Sequence, residues 1–414
     1  MFKSLLAFIS IAVSANGASS GAAYFMTNGD DANHVVTTSI AADGKLTFGQ
    51  AIGGKGFNAN APGFDSFFSQ DPIVVSGNTV LAVNAASNTI SAFTVKPEDP
   101  TQLKQVGKPV SSQGDFPISI GVNQNTNDIY VLNGGAKNGV AGFKFDGNTG
   151  LMPIPNAVRQ IGVKQTTPPK GPPTTLTQAY FSLDDKYLLA SVKGSPPPGA
   201  PGFVAVWEYN ASTGVISDNF TAIVAPSGGA LPFGFSTLPH NPSVVFLSDP
   251  AIGYEVIDLK ASLASSNKNS TSGLMSSAAR TVPAAGASKS YAIPDQKANC
   301  WTAFSGVTGN FYLMDPGKNV VSEVTVNSAT LQPTLVKQYS VGAGNVLDAQ
   351  VAHIDGKDFL YVLSPNVSSI EVFALRAFGN AAHIQSFSYA DGLSAAGLEP
   401  NSTNIVGMAT WAPA

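Results

Sequence analysis

Cysteine, histidine and charge are all scarce in this chain. A single cysteine, Cys300, among 414 residues excludes a disulfide framework and any zinc site built on several thiolates. Four histidines spread over the sequence leave little for a histidine-rich metal centre. Charged residues make up only 12% of the chain, about half the usual share. The net charge is −4 and there is no basic stripe to follow a phosphate backbone, so nucleic acid is not an expected partner. Neither a phosphate-cradling glycine loop nor a serine nucleophile elbow is present. No cofactor and no metal are expected.

What remains is apolar and turn-forming material. Hydrophobic residues are 43% of the chain, with 41 Gly and 28 Pro, enough for a packed core and too much for global disorder. The N-terminus reads as a secretory signal peptide over residues 1–18. Lys3 precedes the short apolar run Leu5 to Val13, and small residues follow from Ser14 to Ala18. That run is too short for a bilayer core of about 30 Å, and no second segment reaches that length, so no membrane span is expected. Acceptor triplets at Asn210, Asn219, Asn269, Asn366 and Asn401 suit a secreted, extracellular glycoprotein. The mature chain is then residues 19–414.

A repeat runs through it. Short β-type runs end in a small polar residue at Asn28, Asn84, Asn133, Ser191, Ser248, Asp315 and Ser364. Each is followed by a turn and a second β-type run, such as Thr89 to Phe93 or Phe203 to Trp207. The spacing matches a propeller blade of the longer kind. A further strand precedes every hairpin but the first: 71–75, 116–120, 177–181, 232–236, 299–303 and 347–351. The seventh, 405–409, stands near the C-terminus with no hairpin after it. The two incomplete ends complement each other, which predicts one all-β domain, a seven-bladed propeller closed by its C-terminal strand. Stretches 165–173, 194–201 and 265–289 read as insertions, and a weak helical run begins at Leu259.

The phrase Ser87-Asn88-Thr89-Ile90-Ser91-Ala92-Phe93-Thr94-Val95 resembles the hairpin signature of the lactonase family of seven-bladed propellers. The turns Asn148-Thr149-Gly150-Leu151 and Ser212-Thr213-Gly214-Val215 are similar to that family's Thr-Gly-x-Leu. The family includes 6-phosphogluconolactonases and muconate-lactonizing enzymes, and the whole mature chain looks like its secreted fungal, carboxymuconate cyclase-like branch. The resemblance implies a lactonase or isomerase site where a Pro-Arg-His phrase enters an inner strand. The matching place here is Leu231-Pro232-Phe233-Gly234-Phe235, so Phe233 and Gly234 replace the cations. Neither can perform acid–base work.

In this repeat order the starts of the inner strands and the hairpin turns gather at one mouth of the central channel. Candidate ligand residues there are Asp71, Asp115, Gln178, Lys297, Asn299 and Asp348; the same residues could equally cap turns. Three of them are aspartates that would repel one another unless a cation joined them. His34, in the first hairpin turn beside Asp30 and Asp31, is the one constellation that could substitute catalytically, a carboxylate orienting the ring and raising its pKa. His240 and His353 read as turn residues on the far side, His383 shows no obvious partner, and Cys300 reads as a small buried core residue. Two functions follow: a binding or surface propeller that takes a small molecule or a surface partner at the mouth, or an active secreted lactonase or cyclase acting on a small carboxylate.

Overall fold

The computed structural model describes residues 19–29, 32–54, 67–195, 199–264, 280–283 and 288–413. The signal-peptide segment, Asp30, Asp31, Asn269 and most of the stretch 265–289 lie outside those residues. The β-branched and aromatic runs form seven antiparallel sheets, each bounded by turns of Gly, Asn, Asp and Pro. Blade 1 runs outward from the channel as Val406–Trp411, Gly21–Met26, Asn33–Ile40 and Leu46–Gly54. The inner strands of blades 2 to 7 are Ile73–Ser76, Pro117–Val122, Leu176–Phe181, Phe235–Leu238, Trp301–Ser305 and Ala349–Ile354. The protein is a seven-bladed β-propeller.

Ring closure follows the sequence reading. Val406–Trp411 pairs with Gly21–Met26, setting Ala22 opposite Trp411 and Tyr24 opposite Ala409. Gly407 sits at φ +80°, and a Cβ there would fall 2.7 Å from Ile73 Cγ2, so only glycine lets this strand lie against blade 2. Three differences from the sequence reading concern boundaries and extra elements. The inner strand of blade 5 begins at Phe235 instead of Pro232, because Phe233 and Gly234 bond to Ser191 and Ser248 before the ladder starts. The run at Leu259 forms a short helix, Leu259–Ala264. Arg280–Pro283 adds a parallel strand outside Thr221–Val224 in blade 4.

Adjacent blades are joined by aromatic packing and by buried tyrosines. Phe246 of blade 5 stacks on Phe311 of blade 6 at 4.2 Å, and Tyr130 of blade 3 meets Phe181 of blade 4 edge-on at 5.9 Å. The second strands of blades 1, 3 and 7 each carry a tyrosine whose hydroxyl donates to a carbonyl in an outer strand or turn of the next blade. These are Tyr24 to Pro100 (2.7 Å), Tyr130 to Gly214 (2.8 Å) and Tyr361 to Gly44 (2.9 Å). The corresponding Tyr312 of blade 6 contacts the buried Glu323, which also accepts from Tyr339 and from Gly379 N of blade 7. Asn210, Asn219, Asn366 and Asn401 are all exposed. No helix among the described residues is long and apolar enough to cross a membrane.

The C-terminal strand should be indispensable. Val406, Met408 and Trp411 are each at least 95% buried, and each large apolar side chain is worth roughly 1.5–3 kcal/mol. Their joint loss is comparable with a whole domain's stability of about 5–15 kcal/mol. A chain ending at Pro400 should therefore lose cooperative thermal unfolding. A melting temperature equal to that of the mature chain would refute the closure.

Candidate functional site

The end of the channel where the inner strands start is closed by the chain itself. Residues 67–71 lie across it and bond to several blades. Ser69 Oγ donates to Ile118 O (2.8 Å), Gln70 N to Thr177 O (3.3 Å), and Trp301 Nε1 to Ser69 O (2.9 Å). The Gln70 amide reaches across to blade 6, where Nε2 donates to Thr302 O (3.2 Å) and Oε1 accepts from Thr302 N (3.0 Å). Lys193, wholly buried, donates to Phe68 O at 2.6 Å and stands 4.3 Å from the centre of the Phe233 ring. Phe68 and Asp71 both take the left-handed backbone region, at φ 51° and 61°, a conformation rare for such residues and held here by the plug's own contacts.

Below the plug lies a cavity of about 270 Å³ that leads toward the turns at the strand ends. Asp71 stands at its inner end, with Tyr180, Gln350 and Thr410 along its wall. Among the described residues no Lys, Arg or His lines it. Asp71 accepts from Gln178 Nε2, while Gln178 Oε1 accepts from Phe235 N (2.5 Å). Burial pushes the Asp71 carboxyl up to about 6, against a smaller lowering from Gln178. Burial likewise raises the Tyr180 hydroxyl to about 12, and that hydroxyl donates to Thr237 Oγ1 at 3.3 Å. At the outer rim Asn123 and Asn125 of blade 3 hold Asp185 of blade 4. The arrangement offers two carboxylates, Asp71 within and Asp185 at the rim, with hydroxyls and the amides of Gln124, Asn125 and Gln350. It suits a cation or a neutral polar molecule and repels a carboxylate.

Of the residues proposed from sequence, the structure joins Asp71 and Gln178 by a hydrogen bond; Asp71 lines this cavity, and Gln178 lies buried behind it. Asp115 serves a turn, accepting from Lys137 N at 3.0 Å. Asn299 is buried and bonded to Gln296, Lys297 is exposed, and Asp348 is buried at the start of blade 7's inner strand. Among the described residues no cluster of three or more His, Cys, Asp or Glu could hold a metal ion. His34 lies in the strand Asn33–Ile40, and burial lowers its pKa, opposite in sign to the effect expected of a carboxylate neighbour. Cys300 is only partly buried. His383 has a partner after all: its Nε2 lies 2.7 Å from Glu371 Oε2 on the adjoining strand. His353 ends an inner strand and bonds through Nδ1 to Asp358 (2.7 Å).

Sequence reasoning missed the plug and a buried acid. Glu255 of blade 5 is fully enclosed; burial first, and then the charge of Asp249, raises its pKa well above the usual carboxylate range. The alternation of its strand gave no signal: Tyr254 and Val256 point to one face and Glu255 to the other, as a solvent-facing acid would, but here both faces are buried.

No sequence-family description matches this chain, and no curated protein matches it. Solved structures do. A putative 6-phosphogluconolactonase from Bacteroides uniformis superposes with a TM-score of 0.64 at 13% identity, covering 94% of this chain and 99% of that one. A putative 6-phosphogluconolactonase from Bacteroides fragilis gives 0.61 at 14%, covering 94% and 98%. The periplasmic gluconolactonase of Pseudomonas aeruginosa gives 0.61 at 15%, covering 94% and 99%. The chain has a lactonase-like propeller fold. At these identities the likeness concerns the fold alone.

Asp71 should leave a signature in stability. Its folded-state pKa of about 6 lies above the ordinary carboxylate value of 3.8, so the native state holds the proton more tightly. Stability is then greatest below pH 4, falls as pH rises to about 6, and is flat above; the loss is at most about 3 kcal/mol. Asp71→Asn should flatten that window and unfold at higher urea than wild type at pH 7. Parallel urea midpoints for the two proteins from pH 4 to 7 would contradict the assignment.

Proposed function

We propose that this chain is a secreted propeller of lactonase-like fold that binds a small cationic or neutral polar ligand in its channel and does not turn over lactones. The observation that carries this reading is at Gly234. A Cβ there would fall 2.1 Å from Gln70 Oε1, so the plug occupies the space that a side chain at this position would need. Neighbouring Phe233 is buried under Lys193 and packed on Trp301. The position where the resemblance expects an arginine–histidine pair therefore has neither the groups nor the room.

Opening or closing a lactone needs a proton donor or acceptor and a cation or donor for the developing oxyanion. Each typically contributes a factor of about 10²–10³, together roughly 5–8 kcal/mol of barrier. The channel cavity supplies no basic side chain, and its carboxylate would repel an anionic substrate. Secretion rests on the N-terminal pattern and is supported by exposed acceptor asparagines.

Purified mature protein assayed with glucono- and muconate-type lactones should show no rate above buffer. In thermal-shift measurements small polyols or amines should raise the melting temperature, and Asp71→Asn should remove that rise. Lactone turnover that disappears in His34→Ala would establish the competing reading, an active lactonase working at the first hairpin.

A further inference from the structure

A second cavity, of about 640 Å³, lies on the strand-end side, where residues of blades 6, 7 and 1 meet. Its wall is mostly apolar: Phe359, Leu375 and Ile384 of blade 7, and Val307 of blade 6, which is 44% exposed. Its rim is basic. The blade 7 ladder sets Asp358 opposite Leu375, so the next position outward sets Lys357 opposite Arg376. Side chains directly opposite on antiparallel strands share a face with Cβ atoms about 4.5–5.5 Å apart, and like charges placed so are destabilising.

Both cations are exposed, and neither forms an ion pair or side-chain hydrogen bond among the described residues. The carboxylates nearby are engaged elsewhere. Asp43 pairs with Lys45 at 2.8 Å. Asp358 accepts from His353 Nδ1 (2.7 Å), Ser305 Oγ (2.7 Å) and Val307 N (3.0 Å). Asp355, in the adjoining turn, is paired with neither cation. An apolar hollow is thus edged by two adjacent, unneutralised positive charges.

We propose that this groove is a second ligand site, for a small amphipathic carboxylate. The carboxylate bridges Lys357 and Arg376, where the guanidinium can engage both oxygens, and the apolar body covers Phe359, Ala374 and Ile384 on the same face of the blade. The volume falls in the range of small-molecule sites, about 300–1,000 Å³. The ligand's charge is the opposite of that suited to the Asp71 channel, and the two sites share no residue. The proposal does not depend on the channel's occupant.

Calorimetric titration with octanoate, octanol and octylamine separates the contributions. Octanoate should bind more tightly than octanol, and octylamine should not bind. Lys357→Gln and Arg376→Gln should each weaken octanoate about three- to fivefold, the range of exposed ion pairs. The double variant should bring octanoate to the level of octanol. Added salt should weaken octanoate and leave octanol unchanged, while Ile384→Ala should weaken both. Because both cations are exposed and unbonded, their variants keep the fold, which circular dichroism verifies. Equal affinity for octanol and octanoate, octanoate affinity unchanged in the double variant, or no binding by any probe would each overturn the proposal.

Discussion

A ring of inner strands turns main-chain amides and carbonyls toward its hub, and these must find partners when water is shut out. In this protein a single connecting segment satisfies much of that need at one end. Gln70 answers both polar groups of Thr302 and Ser69 meets Ile118 and Trp301, while Gln178 of blade 4 caps Phe235 N. Other features at that end follow from it. Gly234 must lack a side chain, Lys193 is folded inward over Phe233, and Asp71 is left at the head of an enclosed cavity with a raised pKa. The space beside Gly234 is filled by the segment that holds the hub together.

The architecture was legible because it is written locally. Alternating runs such as Val80 to Asn84, with a polar stop and a turn, identify each hairpin without knowledge of its neighbours. Closure was legible because the missing first strand and the surplus last one are visible in the repeat itself. Asp71 and Gln178 were recognised as candidates from their place at strand starts. Their meeting, and the plug, were not legible. Gln70 and Thr302 are 232 positions apart, and no local pattern marks a glutamine that crosses a ring. His383 and Glu371 face each other across neighbouring strands, a pairing that requires the register, including its bulge. The inner strand of blade 5 was placed too early because Pro232 to Ser236 has strand-like composition, while Ser191 and Ser248 claim its first residues.

The ring of this molecule rests on contacts away from the hub. The inter-blade tyrosines and aromatic stacks carry the shape, and they lie away from the hub. Whatever occupies the hub can change while those contacts persist, which is how low-identity chains keep a common frame. The basic-edged groove beside blade 7 lies outside the hub as well.

The pairing of Gly21–Met26 with Val406–Trp411 also sets an order of events during synthesis. The first strand made is the partner of the last. At about 5–20 residues per second, roughly 20 to 80 s pass on the ribosome before that partner exists. Throughout that interval Gly21–Met26, an apolar strand without proline or charge, presents an unpaired edge. Contacts this distant in sequence form slowly. Yield during expression should therefore depend on protection of the nascent N-terminal hairpin, and chaperone supply, more than the stability of the finished ring, governs how much protein reaches its folded state.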